Sequence, residues 1–198
     1  MKSQILKTKC NTTEKIFISF LGISILSLYV KVLLYSNFSI LNIGVFLIGT
    51  IIFSSLVFLA YIDLKIMEVH NLTSLILFFF LSVLNIVLFL TKRDITLANG
   101  WQYIAYDNIF AALILGSLSQ LIVLISKEKA LGQGDVRMLL IAGLLVGKTN
   151  LMIWGYLTVF SALAYGVVIG LRKKKFKNVK IPLLPFIVLS IIITLLFF

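Results

Sequence analysis

The sequence predicts an all-α fold: a polytopic membrane helix bundle of about seven transmembrane helices with a cytoplasmic N-terminus. Three observations carry this reading. First, 61% of the 198 residues are hydrophobic and 13% are charged, with a mean hydropathy of +1.12; soluble domains have roughly 45–50% apolar and about 25% charged residues. Second, six apolar runs approach or exceed the roughly 20 residues that a helix needs to cross a bilayer. Third, lysine and arginine are distributed unevenly among the connecting segments. The length fits one membrane domain over residues 1–198, divided into an N-terminal anchor helix within 1–40 and a core over 41–198.

The first run, Ile16 to Tyr35, follows several lysines and has no small-residue cleavage site after it, so it reads as a retained signal-anchor. Leu41 to Ile62 forms the second run and ends at Asp63. Leu72 to Leu90, Ile104 to Ile125, Leu151 to Leu171 and Ile181 to Phe198 are the others. Between the fourth and fifth lies Val136 to Gly147, only 12 residues long. It covers about 18 Å of a hydrocarbon core about 30 Å thick, as a re-entrant segment or a short spanning helix.

Charge decides between these. If the short run spans and the N-terminus is inside, 14 of the 18 basic residues fall on the inner side. The outer loops keep Lys92, Arg93 and Lys148, and Lys31 snorkels from the outer end of the first helix. A re-entrant run would move Arg172 to Lys180 outside, against the positive-inside rule. Seven helices, N-terminus in and C-terminus out, follow. The net charge of +11 is then lysine retained on the cytoplasmic side. It does not indicate nucleic-acid binding, because the basic residues are scattered and no aromatic stacking platform accompanies them. A single cysteine, Cys10, and a single histidine, His70, permit neither an internal disulfide nor a Cys/His zinc cluster. No internal repeat supports a repeat-built transporter.

Seven acids remain. Glu14, Glu68, Asp94 and Glu128 sit beside basic residues in loops, and Asp107 lies at the outer end of its helix as an interfacial cap. Asp63 and Asp135 differ. Asp63 closes the apolar run GVFLIGTIIFSSLVFLAYI and Asp135 opens the short run, both at the cytoplasmic face and at similar depth. An ionisable group there is a functional candidate because burying its charge is costly. The alternative is that both are helix-end caps facing water, with Asp135 favoured by its own helix dipole. Held close across a water, two carboxylates cannot both ionise cheaply: one stays protonated while the other serves as base. Gly132 and Gly134 fit such a site by allowing positive φ and close approach of an extended substrate.

Three blocks at these residues resemble a known family. LGQGDVRMLLIAGLLVG is similar to the G-x-G-D-[VI]-[KR] motif of type IV prepilin peptidases. YIDLKIMEVHN resembles that family's other aspartate block, and IPLLPF its last, proline-containing block. The resemblance implies a membrane-embedded aspartic endopeptidase that needs no metal or other cofactor. It implies Asp63 and Asp135 as the catalytic pair, a multi-pass location in the inner or plasma membrane, and a prepilin or pseudopilin substrate cut after a glycine behind a basic leader. Gly132, Gly134, His70, Asn71, Glu68 and Arg137 are the supporting candidates. His70 stands where the family has proline, which would fix the exit geometry of the loop. A histidine this close to Asp63 can bias its ionisation, or it is a tolerated loop residue. Arg137 takes the place of the usual lysine and snorkels, binds head groups or touches substrate. Glu68 suits a basic leader. The basic run Arg172 to Lys180 suits anionic lipid and would repel such a leader.

The long insert with two Cys-x-x-Cys pairs that accompanies N-methylation in larger relatives is absent, since the first loop is the short SNFSILN. The competing reading is a non-enzymatic membrane transporter or a pilus or secretion assembly factor that reuses the fold. Two further points stay open on the residues alone: which prepilin or pseudopilin is cut, and whether the chain is a monomer or a dimer.

Overall fold

The structure is a computed structural model that describes residues 40–67, 69–92, 95–96, 102–127, 131–173 and 181–197, together with Ser19 and Gly22. The anticipated helix over Ile16 to Tyr35 (those two residues apart), Glu68, and the basic run from 174 to 180 lie outside the described residues.

Five helices follow in order: α1 (Ile40–Ile66), α2 (Asn71–Thr91), α3 (Ala105–Ser126), α4 (Gln133–Lys173) and α5 (Leu184–Phe197). Each grows from an apolar run. Four contain stretches long and apolar enough to cross a membrane: Leu47–Ile66, Asn71–Thr91, Ala105–Ser126 and Gln133–Leu171. One small element was not anticipated. Strands β1 (Ile95–Thr96) and β2 (Gln102–Tyr103) pair antiparallel in the α2–α3 connection, with Ile95 opposite Tyr103.

The short run and the long run after it form one helical stretch, α4, broken at Gly147, where φ is +74° and ψ is 169°. Positive φ of this kind strains any residue with a Cβ. A Cβ at Gly147 would also meet Asn108 Oδ1 at 2.6 Å. The chain turns back there. The first segment, 133–146, runs antiparallel to α3, because Gly116 faces Leu140, Gly143 faces Ala112, and Gly147 faces Asn108. The second segment, 148–173, returns to the end of the bundle that holds Asp63. A Cβ at Gly166 there would meet Ile181, the Tyr165 ring lies 5.2 Å from that of Phe186 at a tilt of 51°, and Leu184 bonds Asp63. The short helix therefore passes through the bundle and does not double back within one face. The end bearing Asp63 also carries Lys65, Lys127, Arg137 and the C-terminal end of α4. Lys92 and Lys148 lie at the other end.

α5 is the central helix. Its Leu184, Ile187, Val188, Ile191 and Ile192 are fully buried among Leu56 and Leu59 of α1 and Met138 and Ile141 of α4. It begins at Leu184, three residues later than the apolar run, because Pro182 and Pro185 suit a helix entry and not a helix interior. Large apolar side chains such as Leu90, Ile125 and Met152 project outward. An outer shell of this kind fits a lipid environment. The protein is a multi-pass membrane protein.

Candidate active site

Asp63 lies one turn before the end of α1, and its side chain is 5% exposed. The helix closes just beyond it. Met67 adopts a left-handed conformation (φ +56°) and its N–H donates to the Asp63 carbonyl at 2.9 Å, which is the αL form of helix termination. Without a glycine there, the turn costs about 1–2 kcal/mol, which the surrounding packing must offset.

The Asp63 carboxylate is held from across the molecule: Leu184 N–H donates to Oδ2 at 3.0 Å. Leu184 is the first residue of α5. The Leu183 carbonyl already accepts from Phe186 and Ile187, and Pro185 has no N–H. The Leu184 N–H is one of the donors that a helix start leaves unpaired. The positive end of the α5 dipole also favours a carboxylate there.

Asp135 is held in the same manner by its own helix. Gly132 is the residue before α4 and its carbonyl accepts from Asp135 N–H (3.1 Å) and Val136 N–H (3.3 Å). In return, Gly132 N–H donates to Asp135 Oδ2 at 3.2 Å. This is the side-chain-to-backbone half of a capping box. Val69, six residues beyond Asp63, packs against Gly134, the residue before Asp135, so the two aspartates lie at the same end of the bundle. Each carboxylate thus lies at a helix N-terminus, that of α5 for Asp63 and that of α4 for Asp135, with Oδ2 fixed by a backbone N–H.

Positive φ is not what the two motif glycines supply. Neither Gly132 nor Gly134 has positive φ; among the described glycines that conformation belongs to Gly147. Gly134 is instead needed for close packing. A Cβ there would fall 2.8 Å from both Cβ and Cγ2 of Val69, which presses the α1–α2 connection onto the start of α4.

His70 is the N-cap of α2, with φ −69°. Its Nδ1 accepts from Thr73 N–H (3.3 Å) and lies 2.8 Å from Thr73 Oγ1. That φ lies within the range that proline imposes, so the backbone here takes the conformation of the residue that His70 replaces. Asn71 opens α2, and its carbonyl accepts from Ser74 Oγ (3.0 Å) and from Arg137 Nη1 (3.4 Å). Arg137 Nη1 also reaches Ser74 Oγ at 3.4 Å. These contacts are long and individually weak, but they turn Arg137 toward α2. Asp107 sits in the first turn of α3 at the opposite end, where Thr149 Oγ1 donates to it at 3.1 Å.

Two participants escaped the sequence reading. The Leu184 N–H is a backbone group, for which only the proline pattern of IPLLPF gave a hint by marking a helix start. Val69 had no distinguishing chemistry. Among the described residues no three His, Cys, Asp or Glu side chains converge as a metal site.

A protein-family model described as the type IV leader peptidase family matches residues 50–198. Searches of curated proteins and of solved structures gave no significant match. The matched span contains Asp63, Asp135 and every helix described above except the first turns of α1.

Proposed function

Because the chain belongs to the type IV leader peptidase family, we propose that it is an aspartic endopeptidase that removes the basic leader of type IV prepilins or pseudopilins. The observation that carries this reading is that Asp63 and Asp135, 72 positions apart in sequence, lie at the same end of the bundle, each with its Oδ2 held by a backbone N–H. Among the described acids, Asp107 lies at the other end of the bundle.

Two neighbouring carboxylates share chemistry that one cannot perform alone. The ionised member takes a proton from a water as the water oxygen bonds to the scissile carbonyl carbon. The protonated member donates to the carbonyl oxygen. Collapse of the tetrahedral adduct breaks the C–N bond, and the departing nitrogen takes up a proton. The bonds from Gly132 and Leu184 hold the Oδ2 atoms, so the pair is pre-oriented before substrate arrives.

On this reading the aspartate end of the bundle faces the cytoplasm, where the chain concentrates its lysine and arginine. The anchor helix expected from the sequence within 1–40, which lies outside the described residues apart from Ser19, Gly22 and Ile40, would make seven passes of a single membrane domain. The second reading, a transporter or assembly factor without peptidase activity, is favoured by one observation: the Gly132–Asp135 bond is what a purely structural cap would also make.

The discriminating experiment co-expresses the protein with a prepilin in a host lacking such a peptidase and maps the new N-terminus by mass spectrometry. The expected result is a cut directly after the glycine that ends the basic leader. A cut inside the apolar segment would indicate a protease of transmembrane helices, and intact substrate would favour the second reading.

A further inference from the structure

A second polar cluster lies at the opposite end of the bundle, and the reaction above makes no use of it. Asn85 of α2, Tyr103 of β2 and Asn108 of α3 are all buried, Asn85 completely. Asn85 Nδ2 donates to the Leu81 carbonyl (2.9 Å) and to the Tyr103 hydroxyl (2.8 Å). Asn108 Nδ2 donates to Asn85 Oδ1 at 3.3 Å. The chain of bonds ends on α4, where the Tyr103 hydroxyl donates to the Leu144 carbonyl at 2.8 Å.

Leu144 belongs to the last turn of segment 133–146, just before the break at Gly147. A helix end leaves its last carbonyls without intrahelical partners, and in a bilayer no water replaces them. At about 1.5 Å per residue, this segment is about 21 Å long. With Asp135 at one surface, its other end stops short of the opposite water layer, since the hydrocarbon is about 30 Å thick. The cluster supplies a donor to one of these last-turn carbonyls. It does so from three separate elements, so the carbonyl is held in position as well as satisfied. The paired strands set the place of Tyr103. Leu144 lies nine residues beyond Asp135, about 13 Å along a single short helix.

We propose that Tyr103 and Asn85 are positioning residues for Asp135: by fixing the far end of the short helix at Leu144, they set the depth and rotation at which its near end presents Asp135 to Asp63. The activity readout rests on the peptidase reading, whereas the exchange readout below does not.

The test compares Tyr103→Phe and Asn85→Leu with Thr158→Val. Thr158 is also buried, but its hydroxyl bonds only a carbonyl of its own helix, that of Trp154 at 2.9 Å. All three variants lose buried hydrogen bonding. In Tyr103→Phe, the amides of Asp135 and Val136 are expected to exchange with deuterium about tenfold faster, and kcat on a prepilin to fall about tenfold with KM nearly unchanged, as a small misplacement of a reacting group does. Asn85→Leu should behave alike, and Thr158→Val should change neither readout. Equal effects in Thr158→Val, or unaltered exchange in both cluster variants, would overturn the proposal. So would failure of both to accumulate while Thr158→Val accumulates, because the cluster would then serve folding alone. If the unaltered protein cleaves no prepilin, the peptidase reading fails and the exchange arm still decides this one.

Discussion

Leu184 and Asp63, 121 positions apart, are joined by a 3.0 Å hydrogen bond from backbone N–H to carboxylate Oδ2. The bond makes the start of α5 part of the candidate site. It also offers an unusually clean test. Leu184 is the first residue of its helix, a position where proline is well tolerated, and Leu183 before it has the capping role compatible with a following proline. Leu184→Pro therefore removes the donor while sparing the helix. Leu184→Ala removes the same buried side chain but keeps the N–H. Prepilin processing is expected to fall much further in the proline variant, by the roughly 1.5–3 kcal/mol of a hydrogen bond to a charged group. Equal losses in the two would reduce the role of Leu184 to packing.

The contact between Gly134 and Val69 is too close for another side chain. Gly134→Ala should destabilise the protein by about 1–3 kcal/mol through overpacking, read as a lower melting temperature in detergent. Removing the obstruction with Val69→Gly in the same chain should restore part of the loss. If the double variant is no better than the sum of the two singles, the glycine serves some purpose other than packing.

For His70 the structure favours a capping role. Its Nδ1 bond to Thr73 N–H can be replaced by another capping side chain, so His70→Ser should retain stability and processing. His70→Ala should lose about 1 kcal/mol of stability, as N-cap deletions do. A His70→Ser variant that folds normally but does not cleave would show that the imidazole contributes to the chemistry.

Tyr103 provides a prediction in alkaline solution. Burial pushes its hydroxyl up from 10.0 to about 12, against the opposing effect of the Asn85 and Asn108 bonds. The folded state then binds this proton more tightly than the unfolded chain. The resulting stability is fully present below about pH 10 and is lost as pH rises from there through about 12. The difference in phenolate absorbance between the unaltered protein and Tyr103→Phe should emerge near pH 12; emergence near pH 10 would mean that the hydroxyl is not buried.

Much of the fold was legible because helices in a bilayer must be long and apolar. Among the described helices the limits came within a few residues, with α1 running on to Ile66 and α5 starting late at Leu184. Asp63 and Asp135 stood out because an acid at the edge of an apolar run is costly and rare. The rest was hidden for identifiable reasons. Every residue has a backbone N–H, so nothing in the side chain of Leu184 announced it as the partner of Asp63. Asn85 was visible as a polar residue inside an apolar run, but its partners come from elements that only folding brings together. Gly132 and Gly134 suit the motif by allowing positive φ and close approach, yet among the described glycines positive φ occurs at Gly147, where the short helix must turn. A sequence motif identifies glycines without distinguishing a need for unusual φ from a need for space.

In the proposed reaction Asp63 and Asp135 act together on one water. This joint action is tested most directly by Asp63→Asn and Asp135→Asn, each co-expressed with a prepilin and each measured for accumulation in membranes. Asparagine keeps the shape of the carboxylate and removes its capacity to serve as base. Both variants are expected to accumulate at normal levels and neither to process the prepilin, with the double variant no worse than either single one. Normal processing by either single variant would contradict it.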